Sequence, residues 1–291
     1  MANLKEVKER IKSVSSTQQI TRAMKMVAAA KLRRAQDKII QLRPYSEKLS
    51  AILANVSAGN SDESMTTYAQ EREVKNVLIV PVTSDRGLCG AFNSNINKAL
   101  NVVVKAHEGA TIHVMPIGKK AFDMTKKQKF TNVTAYWDMF SKLSFETARE
   151  AAEYAMDGYV EGKYDKVILV YNEFKNVATQ IVRSEQLLPI VQVEKDNDAS
   201  STSTDYIFEP SKDFIVEDLI PKSLKIQFYK AILDSNASEH GARMTAMGKA
   251  TDNAGDLLKD LKLMYNRTRQ AAITKEILEI VGGAEALAAD N

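Results

Sequence analysis

Apolar or small residues recur at alternating steps of three and four along two long stretches of this chain. The first runs Leu4, Val7, Ile11, Val14, Gln18, Thr21, Lys25, Ala28, Leu32, Ala35, Ile39, Leu42, Ser46, Leu49, Leu53 and Val56 without a slip. The second is marked by Ala250, Ala254, Leu257, Leu261, Met264, Thr268 and Ala271, in a segment with no proline after Pro221. An average step of 3.5 is the seam of a coiled coil, so the two ends of the chain are expected to be long helices wound on each other. The second would reach on the order of 100 Å, at about 1.5 Å per residue. Pro44 removes one helical hydrogen bond and is expected to bend the first helix or break it locally. The polar seam positions Gln18, Thr21 and Lys25 cluster. There the seam opens to water, opens to a partner, or makes a polar contact that sets register.

Between the helices the period changes. Residues 59–73 read as a polar linker, followed by a small, Rossmann-like α/β domain over 74–193 with a mainly parallel sheet. Its expected order is a strand at Val74 to Val82, a glycine turn at Ser84 to Gly90 and a helix from about Asn93 to Val104. A strand at Thr111 to Ile117, a short helix to Lys126 and a weak strand at Phe130 to Tyr136 come next. A helix at Phe145 to Val160, a strong strand at Lys166 to Tyr171 and an edge strand within 178–190, ended by Pro189, complete it. Residues 194–210 form an acidic, serine-rich loop that closes on two aromatic residues, Tyr206 and Phe208. The organisation is therefore an N-terminal helix over 1–58, the linker, the α/β domain, the loop, and a C-terminal helix over 211–291.

Charge is distributed unevenly. The net charge of the 291 residues is +3, yet residues 1–58 hold twelve Lys or Arg against four Asp or Glu, which leaves the remainder at −5. The first helix is a basic rod bearing Arg22, Lys25, Lys31, Arg33, Arg34 and Lys38. Such a rod either attracts acidic partners, including nucleic acid, an anionic membrane or acidic protein loops, or is simply a solvated face. No apolar run reaches membrane-spanning length, and the charged start lacks the apolar core of a secretory signal. The chain is expected in the cytosol, or at a membrane only through partners. Cys89 is the one cysteine, which excludes an internal disulfide switch.

Catalytic chemistry is thin. The glycine turn at Ser84 to Gly90 sits between strand and helix, as phosphate loops do, but lacks the G-x-G-x-x-G and P-loop spacings, so it reads as a packing turn. His107, His113 and His240 are too scattered for a metal site or a triad. Met24, Met26, Met244 and Met247 fit a helix surface. No cofactor is expected. The two helices also differ in length, leaving roughly 20 residues of the second unpaired, or about 30 Å. Ile273, Ile277, Ile280, Val281 and Leu287 would then be bare. Three fates remain for that end: folding back on the α/β domain, dimerisation, or insertion into a partner.

Three motifs carry a family resemblance. They are Thr21 to Lys31 (TRAMKMVAAAK), Asp85 to Asn93 (DRGLCGAFN), and Tyr265 to Ala284 with Ile273, Thr274, Glu276, Glu279, Gly283 and Ala284. In that order, and over nearly the whole chain, they resemble the gamma subunit of the F-type ATP synthase. The resemblance implies an antiparallel coiled coil whose longer C-terminal helix enters a ring of alpha and beta subunits. It implies a non-catalytic rotor shaft that couples ion flow to nucleotide binding changes in beta, peripheral on the cytoplasmic face of a bacterial membrane. Implied partners are alpha, beta, epsilon and the membrane ring of c subunits. Met24, Lys25, Arg269, Gln270, Thr274 and Glu276 match positions that face beta. Ile273, Ile277, Ile280, Val281 and Leu287 match the tip in an apolar bearing. Tyr206, Ile207, Phe208 and Glu209 match the foot on the rotor ring. A basic coiled-coil adaptor binding nucleic acid is the alternative, weakened by the lack of aromatic residues before Tyr45 for base stacking.

Overall fold

The computed structural model describes residues 4–57, 67–128, 130–190 and 212–289. The chain divides into two compact units, one made of Met1–Val27 with Met244–Asn291 and the other of Ala28–Arg243. Helices α1 (Leu4–Ser57) and α5 (Lys212–Ala289) contribute residues to both. Pro44 does not break α1, which continues through it. Its ring and its neighbours Arg43 and Tyr45 lie on the exposed face, where a carbonyl released from the helix ladder remains open to solvent.

In the first unit α1 and α5 pair antiparallel. A Cβ built on Gly255 would lie 2.9 Å from Gln18 Nε2, and one on Gly248 would lie 3.6 Å from Lys25 Nζ, so residue numbers fall on one helix as they rise on the other. Val7, Thr21, Ala254 and Leu261 are buried along the seam. On α1 the sequence pattern holds, with Leu4, Ile11, Val14 and Gln18 half-buried, while Lys25 is exposed. On α5 the expected order of three- and four-residue steps is reversed. Thr251, Leu258 and Tyr265 turn inward, and Leu257 and Met264 are each 48% exposed. At two of these places, Leu257–Leu258 and Met264–Tyr265, adjacent apolar residues compete, and the register with α1, which a single helix's pattern does not contain, selects between them. Met247, expected on the surface, is buried.

The second unit is a five-stranded sheet in the order β3-β2-β1-β4-β5. Strands β1 (Asn76–Pro81), β2 (Thr111–Val114), β3 (Thr131–Asn132) and β4 (Lys166–Phe174) run parallel, and β5 (Gln180–Leu188) is the antiparallel edge. Strand β2 ends at Val114, short of the expected Ile117, but its backbone goes on donating to β1, from Met115 to Ile79 O (2.9 Å) and from Ile117 to Pro81 O (3.0 Å), and Val82 and Ile117 form a bridge. Alternation sorts the strand residues between the two faces. Val77, Ile79, Ile168 and Val170 pack on Ile96, Leu100 and Val103 of α2 (Phe92–Ala106). Leu78, Val80, Val167 and Leu169 pack on the other face against α4 (Phe145–Val160) and α5. Helix α4 comes close to its neighbours because it offers Ala148, Ala151, Ala152 and Ala155; at Gly158 a Cβ would stand 2.6 Å from the Tyr164 ring. The short α3 (Lys119–Thr125) joins β2 to β3. Helix α5 adds Ile220, Leu224, Phe228, Ala231 and Ile232 to this core and covers one face of the sheet.

A buried carboxylate lies in this unit, in a cavity lined by further charges. Arg43 of α1, Glu173 of β4, and Lys230 and Asp234 of α5 line one cavity. Burial pushes the Asp234 carboxyl up to about 6, opposed by Lys230 and Arg43 and reinforced by Glu173 and Glu185. Because that value lies above the ordinary 3.8, the native state holds the proton more tightly. The resulting support for the fold is present below pH 3.8 and is lost as pH rises through about 6. Asp234→Asn is therefore expected to raise stability by up to about 3 kcal/mol at pH 7.5, with the gain vanishing near pH 4. Urea unfolding of the purified chain at the two pH values measures it; equal effects at both would remove the assigned cost.

Candidate functional site

An open, doubly wound sheet binds ligands at the carboxyl ends of its strands, where the strand order reverses. Here that place lies between β1 and β4, beside the glycine turn. The chain's own helix lies against both strand ends. Ser235 Oγ donates to Val82 O (3.5 Å) and Ser238 Oγ donates to Asn172 O (3.0 Å). Arg243 donates to the carbonyls of Gly87 and Arg86 and pairs with Glu239 one helical turn earlier. The turn is tied within itself as well: Ser84 Oγ donates to Arg86 O (2.7 Å), and Ser84 N–H donates to Asn93 Oδ1 (3.0 Å). Cys89 is buried beneath it. The turn that resembled a phosphate loop thus gives its outward carbonyls to α5, in keeping with the packing role read from its spacing.

Glu239 and Arg243 form the charged core of this junction, with His240 beside them. Burial raises the Glu239 carboxyl, and the Arg243 guanidinium works against that rise. His240 is held down to about 4 by burial, with Lys31 and Arg243 adding to the effect, so it is neutral at physiological pH. The motif-based reading passed over Arg243 and Glu239. An i,i+4 acid and base inside a run of buried small residues was the available signal. Leu88, within the quoted motif Asp85 to Asn93, takes φ +67° and is 66% exposed at the apex of the turn.

The residues matched to partner contacts fall at two levels of the paired helices. At the first, Thr251 Oγ1 stands 2.9 Å from Thr21 Oγ1 and donates to Met247 O, and Gln18 Nε2 donates to Thr251 O (3.4 Å). Thr21 and Gln18 therefore form a polar layer across the two helices, while Lys25 points outward and Met24 is half-buried. Ile20, Met26 and Val27 are exposed beside them. At the second level, Arg269, Gln270, Thr274 and Glu276 are all exposed on α5. Thr274 Oγ1 donates to Gln270 O (2.9 Å), and Lys275 pairs with Glu279 at 3.5 Å. The register of Gln18 opposite Gly255 places Leu4 opposite residue 269, so the levels lie about 30 Å apart along the helix.

Among the described residues no part of α1 lies opposite α5 beyond that point. Ile273, Ile277, Ile280 and Val281 are exposed there, as is Leu278, which the sequence stripe omitted because it lies off their face. Leu287 continues α5. Tyr206, Ile207, Phe208 and Glu209, the matched foot, lie outside the described residues, as do the linker's residues 58–66 and the loop's residues 194–205.

An antiparallel helix pair with a bare apolar end, in a chain whose α/β unit turns its strand-end crevice to its own helix, defines a coiled-coil class of protein. The comparisons with known proteins are specific. A family model described as ATP synthase matches residues 3–287. The ATP synthase gamma chain of Cytophaga hutchinsonii is 60% identical over 294 residues, covering 99% of each chain. A central stalk and c-ring structure of the Tetrahymena thermophila mitochondrial ATP synthase matches with a TM-score of 0.56 and 25% identity, covering 79% of this chain and 99% of that one. The rotor of the Euglena gracilis enzyme shares the fold at a TM-score of 0.67 and 24% identity, over 93% and 98% of the two chains. The chain belongs to the ATP synthase gamma chain family. That membership gives no support to the nucleic-acid alternative.

Arg243→Met is expected to destabilise the chain by about 3 kcal/mol, because the buried Glu239 loses its partner. Adding Glu239→Gln to that variant is expected to restore much of the loss. Urea unfolding of the two variants checks this, and a double variant no more stable than Arg243→Met alone would count against the pair.

Proposed function

We propose that this chain turns as the central-stalk rotor of an F-type ATP synthase, coupling ion-driven rotation to nucleotide binding changes in the catalytic beta subunits. It is a non-catalytic subunit, and the chemistry belongs to beta. The observation that carries the contact assignment is the run of exposed residues on α5 from Arg269, which stands level with the first described turn of α1, to Gly282, with no described residue of α1 opposite those after 269. An exposed apolar helix end in a soluble unit is a surface awaiting a partner. A ring of alpha and beta subunits is the partner that the family supplies.

The tip residues Ile273, Ile277, Ile280, Val281 and Leu287 then form a low-friction apolar bearing, to which the exposed Leu278 adds. Arg269 and Gln270, with Thr274 and Glu276, make polar contacts with beta just below it. Arg269 has the planar fork suited to a carboxylate. Lys25, with Met24 beside it, meets acidic loops of beta at the lower level. Epsilon and the c-ring contact the α/β end, with Tyr206, Ile207, Phe208 and Glu209 as the foot. Among the described residues no helix is long and apolar enough to cross a membrane. The proposed location is the cytoplasmic face of the bacterial membrane, reached through partners.

Two changes test the assignment in a complex assembled with alpha and beta. Deleting the last twenty residues is expected to leave the α/β unit folded while lowering steady ATPase. Arg269→Ala is expected to reduce coupled activity several-fold, in line with the loss of one charge-assisted contact of about 1.5 kcal/mol. Unchanged coupling in the Arg269 variant would remove its role, and unchanged ATPase after the deletion would remove the bearing.

A further inference from the structure

Lys25 occupies a seam position of α1, yet its side chain is exposed. The partner helix explains how. Gly248 of α5 is buried, and a Cβ built there would meet Lys25 Nζ at 3.6 Å, Cε at 3.7 Å and Cδ at 3.9 Å. The outer half of the lysine therefore lies across the bare backbone of α5. Seven residues further along α5, Gly255 does the same for Gln18, seven residues earlier on α1. The two places differ in what the polar end does. Gln18 spends its amide on Thr251 O, within the pair. Lys25 has no ion pair or hydrogen bond among the described residues.

A glycine inside a long helix weakens it. A Cβ at Gly248 would meet Lys25 only at ordinary contact distance, so what the place excludes is a side chain larger than alanine: a small-residue notch that seats a flexible cation. A free lysine chain loses rotamer entropy when it forms an ion pair; one already lying in a groove loses less. We propose that Gly248 is a positioning residue, whose notch holds the Lys25 ammonium ready for a carboxylate of the surrounding beta subunits. The proposal rests on the reading of Lys25 as a contact with beta. It adds a residue on the other helix that no family motif quoted above includes.

The test uses the full chain assembled with the other synthase subunits, with ATP-driven ion pumping as the readout at low and high salt. Lys25→Gln is expected to lower pumping about three- to five-fold at low salt, the range of an exposed ion pair, and the loss should shrink at high salt. Gly248→Leu fills the notch and is expected to give the same loss with the same salt dependence, although leucine is the better helix former. Gly248→Ala is expected to retain activity, since its Cβ would meet the lysine at ordinary contact distance. Combining Lys25→Gln with Gly248→Leu is expected to cost no more than either alone, because both act through one ammonium. Additive losses, a salt-independent loss in Gly248→Leu, or an equal loss in Gly248→Ala would assign the glycine a purely structural role and overturn the proposal. A loss in Lys25→Gln with none in Gly248→Leu would overturn it while leaving the Lys25 contact standing. No effect of Lys25→Gln would overturn the contact and the proposal together.

Discussion

The register between α1 and α5 is the constraint on which the rest depends. Two antiparallel helices can slide by a heptad and still bury apolar residues, so something other than hydrophobicity must choose the position. In this chain the choice is made by a polar layer, Thr21 against Thr251 with Gln18 on the Thr251 carbonyl. A slip of one heptad would set Thr21 opposite Leu258 or Met244 and leave it without its partner. Gly248 and Gly255 accept the side chains of Lys25 and Gln18, but, standing seven residues apart as those two do, they do not by themselves exclude such a slip. With register fixed, the point on α5 where coverage by α1 stops is fixed as well, and with it the level at which Arg269 and the apolar tip are displayed.

The α/β unit shows a fold put to a use other than ligand binding. Its sheet has the order and crossovers of a ligand-binding domain, and its glycine turn stands where a phosphate loop would. The crevice instead faces α5, through Ser235, Ser238 and Arg243. Those bonds tie the helix to two strand ends and to the turn at once. For a part that must carry torque, a helix anchored at several points on a stiff sheet is worth more than a ligand site. The attraction between the buried Glu239 and Arg243 is spent largely on desolvation, so the pair adds little net stability, although removing one partner alone is costly.

Much of this was legible in the sequence. Alternating steps of three and four named the buried face of α1 almost residue by residue, and the strand and helix order of the α/β unit followed from its change of period. Where the reading went astray, the missing information was tertiary. Leu257 and Leu258, or Met264 and Tyr265, are equally good seam residues for an isolated helix, and only the opposing α1 decides between them. Pro44 was expected to disturb its helix, but its exposed setting leaves the ladder's gap to water. Gly248 carries no local signal of its contact with Lys25, and Arg243 shows only its i,i+4 acid Glu239, because each also acts on a residue more than 150 positions away. The roles of Arg269, Gln270 and the apolar tip came from family motifs, since an exposed residue's partner is not written in its own chain.

The most direct measurement of the central claim is rotation itself. A complex with alpha and beta would be fixed to a surface, and a bead attached through Lys98→Cys, an exposed position on α2 far in sequence from the proposed contacts. With ATP supplied, the account predicts sustained rotation of the bead in one direction, stopping when nucleotide is removed. ATP hydrolysis at an undiminished rate with the bead stationary would contradict the reading of this chain as the rotor.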